Sequence, residues 1–104
     1  MTLRTVLEEQ IKRNHRNSGI YREKLLSLSK GSIHVKKENG RDYYYLKTWD
    51  SEGKRVARSI REEHVEIVRH ELATRKRIEQ WIREIEEDIK IAEKALATMK
   101  IQKK

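Results

Sequence analysis

Gly31-Ser32-Ile33-His34-Val35-Lys36-Lys37-Glu38-Asn39-Gly40-Arg41-Asp42-Tyr43-Tyr44-Tyr45-Leu46-Lys47-Thr48-Trp49 is the stretch on which the fold turns. Asn39-Gly40 is the strongest short-range hairpin signal in the chain, because both central residues of a type I′ turn need positive φ. Taking those two as the loop pairs Glu38 with Arg41, Lys36 with Tyr43, Val35 with Tyr44, His34 with Tyr45 and Ile33 with Leu46. A second turn follows Trp49-Asp50. There a three-residue loop, Ser51-Glu52-Gly53 with glycine in the left-handed position, sets Thr48 against Val56, Leu46 against Arg58 and Tyr44 against Ile60. A loop of two or four residues would turn Val56 and Ile60 to the opposite side.

This register separates two faces. Ile33, Val35, Tyr44, Leu46, Val56 and Ile60 share one, which needs a helical cover. His34, Lys36, Tyr43, Tyr45, Lys47, Trp49, Arg55 and Ala57 share the other. Rings interleaved with cations suit a nucleic acid, since rings stack on exposed bases and ammonium or guanidinium groups neutralise phosphates. The alternative is that a second helix, such as Ile20 to Leu28, covers the rings while the lysines snorkel at its edge.

Helical patterns flank the sheet. Leu3, Val6, Leu7 and Ile11 fall at helical spacing, with Arg4 and Glu8 paired one turn apart off that stripe. Asn17-Ser18-Gly19 either ends this helix in a left-handed cap or is a weak spot inside a continuous one. Beyond the sheet, Ser59-Ile60-Arg61-Glu62 has the S-x-x-E form of a capping box, and nothing interrupts helix from there to about Met99. Val65, Val68 and Leu72 make a first stripe. Ile78, Ile82, Ile85, Ile89, Ala92, Leu96 and Met99 then follow at alternating steps of four and three, a heptad seam. The step from Leu72 to Ile78 is one residue short of a heptad, which places a kink, a change of partner or a stammer near Arg75-Lys76-Arg77. That basic cluster is either a phosphate grip or a solvated helical face.

A continuous helix of this extent would be about 60 Å long. The N-terminal helical region is its natural antiparallel partner, and because that region is shorter, Ile85 to Met99 is expected to lack a cover and to invite self-association. The fold class expected is α+β: an N-terminal helical segment (1–30), a three-stranded antiparallel sheet (31–60) at the tip of an antiparallel helical hairpin or coiled coil, and a long C-terminal helix (61–104), all within one domain.

Composition narrows the function. A hydrophobic fraction of 36% and a charged fraction of 40% in 104 residues leave little material for a deep core. The net charge of +8 favours an anionic partner. The excess is uneven: seven Lys/Arg against three acids in residues 1–30, seven against four in 31–60, and eleven against ten in 61–104. The chain has no cysteine, which excludes disulfides and thiolate metal sites. No apolar run approaches a membrane span, so no membrane role and a cytoplasmic location are expected.

Catalytic signatures fail on spacing. His70-Glu71 lacks the second histidine of H-E-x-x-H, because Thr74 stands there. His64 and His70 point to different sides of a helix, and Gly53-Lys54 lacks the rest of a phosphate loop. Glu84, Glu86, Glu87 and Asp88 lie beside Arg83 and Lys90 as a solvated helical face does. No cofactor, metal or enzymatic activity is expected.

The layout of a Gly-Ser-Ile start, a basic strand, an Asn-Gly turn, a tyrosine-rich strand, the turn Asp50-Ser51-Glu52-Gly53-Lys54-Arg55 and a basic third strand before a helix resembles the arm-type DNA-binding domain of phage and transposon tyrosine recombinases. In that family the sheet enters the major groove, which implies Lys36, Tyr43, Tyr45, Lys47, Arg55 and Arg58 as contacts, although the register puts Arg58 on the covered face. Tyr43-Tyr44-Tyr45-Leu46, a following Trp, the Gly-Lys-Arg turn and the long charged helix are also similar to a small uncharacterised domain of prokaryotic and mobile-element proteins. Many of its members carry a cysteine-rich first turn where this chain has Glu38-Asn39-Gly40, so no metal role transfers.

The expectation is a nucleic-acid-binding protein, DNA before RNA, that contacts phosphates through Lys36, Lys47, Lys54, Arg55 and Arg58 and bases through Tyr43, Tyr45 and Trp49. The rival is a coiled-coil assembly module, phage or mobile-element encoded, that forms homo-oligomers or meets a partner protein through the Ile78–Met99 seam.

Overall fold

The computed structural model describes the backbone of residues 2–102 and the side chains through residue 99; Met1, Lys103 and Lys104, at the ends of the expected segments, lie outside the described residues. The order is helix α1 (Leu3–Leu25), strands β1 (Ser32–Glu38), β2 (Arg41–Trp49) and β3 (Arg55–Ile60), a single 3-10 turn (Glu62–His64), and helix α2 (Val65–Gln102). The fold is α+β. The chain divides into two compact units, residues 1–27 with 77–104 and residues 28–76.

The sheet unit has strand order β1-β2-β3, both pairs antiparallel. Its register is the one the turns dictate, from Glu38 opposite Arg41 to Ile33 opposite Leu46 in the first pair, and from Thr48 opposite Val56 to Tyr44 opposite Ile60 in the second. Asn39 and Gly40 both have positive φ, 51° and 77°, as a type I′ turn requires. At the second turn Asp50 does the positioning. Its carboxylate oxygen Oδ1 accepts from the backbone N–H groups of Glu52 (2.9 Å) and Lys54 (2.8 Å), and its own N–H donates to the Lys54 carbonyl at 2.9 Å. Such a side-chain bond to nearby backbone is why Asp favours turns.

The first turns of α2 back the Ile33-Leu46-Ile60 face. Ile33 and Val35 line a groove with Leu72, Ala73 and Lys76, and Leu46, Arg58 and Ile60 line another with His64 and Val68. This cover is thinner than the pattern suggests: Ile33, Tyr44, Leu46 and Ile60 are half-buried, and Val35 and Val56 are exposed. The segment before β1 is pinned to α2, with Ser29 Oγ donating to Glu71 Oε2 and Arg75 Nη1 to the Leu28 carbonyl at 3.3 Å. Gly31 follows at φ +119°, so close to β2 that a Cβ would lie 2.2 Å from the Lys47 carbonyl oxygen.

The expected capping box does not form. Ser59 is inside β3, opposite Tyr45, so its backbone is held in the ladder; the helix is entered through the 3-10 turn, whose N-cap is Arg61 with no side-chain capping bond. At the other end of the chain, Thr2 does cap α1, its hydroxyl accepting from the Thr5 N–H at 3.2 Å.

In the helical unit α1 runs unbroken through Asn17-Ser18-Gly19. Its inward residues are Leu7, Ile11, Asn14, Ser18, Tyr21 and Leu25, buried or half-buried and spaced by fours and threes. Leu3 and Val6, expected on that stripe, are exposed. Arg4 and Glu8 pair as expected, at 3.1 Å. Opposite lie Ile78, Ile82, Ile89 and Ala92, all buried, with Ile85, Leu96 and Met99 half-buried. Tyr21 meets Trp81 at 5.7 Å between ring centroids, Arg22 pairs with Glu86, and His15 and Ser18 line a groove with Ile89 and Lys90. Numbers fall on α1 as they rise on α2, so the pair is antiparallel. Within the stretch expected to lack cover, Ile89 and Ala92 are buried, and Ile85, Leu96 and Met99 are half-buried. Through Arg75-Lys76-Arg77 α2 stays helical, and the short heptad step coincides with the unit boundary at residues 76 and 77. Of the three alternatives, a change of partner fits.

Candidate nucleic-acid interface

Alternation along the strands places Tyr43, Tyr45, Lys47 and Trp49 of β2 on the side away from α2. Register adds Lys36, His34 and Ser32 from β1 and Arg55, Ala57 and Ser59 from β3. This face is open. Tyr43 retains 41% and Trp49 55% of its surface, and Lys36, Lys47, Arg55, Ala57 and Ser59 are exposed. Tyr45, on the central strand between two neighbours, is half-buried.

The local geometry ties ring and charge together. The Arg55 guanidinium carbon lies 5.1 Å from the centre of the Trp49 ring, a cation–π distance. Ser32 Oγ and His34 Nε2 are 3.1 Å apart. Ser32, His34, Lys47, Trp49 and Arg55 line a shallow depression together with Thr48. Lys36 Nζ is 3.8 Å from Glu38, with both side chains well exposed, so this pair holds the lysine only weakly.

Six of the eight residues expected to contact nucleic acid thus come together: Lys36, Tyr43, Tyr45, Lys47, Trp49 and Arg55. Two do not. Lys54 sits on the β2–β3 turn, its Nζ 4.0 Å from Glu52, at the end of the face and not on it. Arg58 stands opposite Leu46 and lines the groove with His64 and Val68 on the α2 side, as strand alternation requires and contrary to the recombinase likeness. Arg41 was missed. It is exposed, and its odd number on β2 gives it the same side as Tyr43; the parity that sorted the tyrosines identifies it equally well.

Among the described residues, no group of three or more His, Asp or Glu is gathered as metal ligands would be, and no helix is long and apolar enough to cross a membrane.

The family of domains of unknown function DUF6788 matches residues 3–70. The chain belongs to it. The match takes in α1, the whole sheet with its open face, and the start of α2, leaving the seam of α2 beyond it. No curated protein and no solved structure matches the chain. The likeness to recombinase arm domains gains nothing from these comparisons.

Proposed function

We propose that this protein is a non-enzymatic nucleic-acid-binding module that uses the open face of its sheet. The observation that carries the reading is the co-location, on one uncovered face, of three aromatic rings with Lys36, Arg41, Lys47 and Arg55. Cations at the two outer strands suit phosphates, and the rings of the central strand suit bases or sugars. The net charge of +8 supports the same partner at longer range. The rival reading, assembly through Ile78–Met99, drew on a seam expected to lack cover from Ile85; the burial of Ile89 and Ala92 within the chain gives the sheet face the stronger support.

The test is a titration of labelled DNA and RNA at rising salt. Affinity should fall linearly in log–log form with a slope that reflects several phosphate contacts. A Tyr45→Ala, Lys47→Ala protein that is folded by circular dichroism and binds as well as the parent would remove the sheet from the proposal. Light scattering addresses the rival: a stable oligomer that dissociates on changes to the α2 seam would favour assembly.

A further inference from the structure

Resting on that reading, we infer that the face takes single-stranded nucleic acid, with bases lying on the rings and little preference for sequence. The inference comes from what the face contains and how it is spaced. Side chains two apart on a strand stand about 7 Å from each other, whereas successive nucleotides of a duplex strand advance by about 3.4 Å. Tyr43 and Tyr45 are so spaced, and Lys47 and Trp49 continue the row. A row at this interval matches bases splayed apart, not bases stacked on one another. In a duplex the π-faces are already covered by neighbouring pairs, and a protein must read base edges with hydrogen-bonding groups, chiefly Arg, Lys, Asn and Gln.

Of these readers the face carries only the cations Lys36, Arg41, Lys47 and Arg55. It holds no Asn or Gln, and Arg55 is directed at the Trp49 ring. What it offers instead is ring surface. Lys47 is flanked by Ser32 and Ala57, and Tyr45 by Ser59 on one side and the larger His34 on the other, so the β3 side of Tyr45 and both sides of Lys47 leave room for a flat base. Lys36 and Arg41 at one end and Arg55 at the other, flanking the rings, are placed for the phosphates of a strand crossing the face. The recombinase likeness would set a duplex here, and duplex binding is therefore the outcome that decides against the inference.

The experiment uses the full chain carrying Trp81→Phe, so that emission reports Trp49 alone. Oligothymidylate and oligouridylate of about 10 nucleotides, a mixed-sequence duplex of the same length and heparin are titrated by fluorescence and by competition. Both single strands are expected to bind at least about tenfold more tightly than the duplex and to quench Trp49, because stacking adds to the shared phosphate term. Tyr45→Leu should lower single-strand affinity by about tenfold and leave duplex affinity unchanged; Lys47→Gln should weaken both. The two single-stranded probes separate DNA from RNA. Duplex binding equal to or tighter than single-strand binding, or single-strand binding without quenching, overturns the inference while the nucleic-acid reading stands. Heparin binding as tight as any nucleic acid, with Tyr45→Leu inert on every probe, removes both.

Discussion

The helical unit and the sheet unit are built on opposite terms. Among the described residues, four of the five buried apolar ones, Ile78, Ile82, Ile89 and Ala92, belong to the helical unit, and the fifth, Val65, to the sheet unit. The sheet unit relies more on register, turn chemistry and a close backbone approach under a thin helical cover, and leaves Tyr43 and Trp49 exposed. Stability is concentrated where no recognition is proposed, and recognition where little is buried. A surface that must stay open for a ligand cannot also be a core, so the apolar burial it lacks has to be supplied elsewhere in the chain.

Substitutions sharpen or break this contrast. The largest effect is expected at Gly31→Ala, where positive φ and the Lys47 carbonyl both oppose a Cβ; the loss should be about 4 kcal/mol in urea denaturation, at the upper end for single changes. A loss below about 1 kcal/mol would mean that the sheet unit yields easily at β1. Next is Ile82→Ala in the helical seam, expected to cost about 3 kcal/mol through lost burial and the cavity left behind. If Val35→Ala, on the exposed rim of the sheet, cost as much, the division of labour between the units would be wrong.

Changes on the open face should show the reverse pattern. Tyr45→Ala with Lys47→Ala is expected to weaken nucleic-acid binding by about a hundredfold, one lost stacking contact and one lost phosphate contact, with the urea midpoint shifting far less than for Ile82→Ala. Arg58→Ala, on the α2 side, should change affinity by less than about threefold, since a distant charge contributes only through the screened field. An Arg58 effect equal to that of Arg55→Ala would place the ligand on the wrong face. The smallest effect belongs to Arg22→Ala, which removes a well-exposed ion pair with Glu86; thermal denaturation should register less than about 1 kcal/mol.

The register of the sheet was legible because each of its turns admits few conformations. Once Asn39-Gly40 and Gly53 fix the loops, every residue's side follows from parity, including that of Arg41. The helical pair was legible from one side only. Ile78 to Met99 announce a seam by being apolar, but Asn14 and Ser18 occupy the matching positions on α1, and a search for apolar periodicity passes over them in favour of Leu3 and Val6. The expectation of an uncovered seam came from comparing lengths, a shorter N-terminal helical region against a longer C-terminal one. The capping box at Ser59 failed for a different reason: a short motif competes with the ladder of hydrogen bonds around it, and a residue paired with Tyr45 has no freedom to cap. Openness of the Tyr43-Trp49 face was not legible at all, since exposure depends on where every other element lies.

The span of chain between contacting partners sets an order of events. Each hairpin joins residues close in sequence, Glu38 with Arg41 and Trp49 with Arg55, whereas Arg22 and Glu86 are 64 positions apart. Local contacts close fast and distant ones wait on loop closure. Refolding followed through Trp49 in a Trp81→Phe chain should therefore lead refolding followed through Trp81 in a Trp49→Phe chain; coincident traces would mean a single concerted step. During synthesis from the N-terminus the consequence is sharper: the sheet can close while α1, made first, still has no seam to meet.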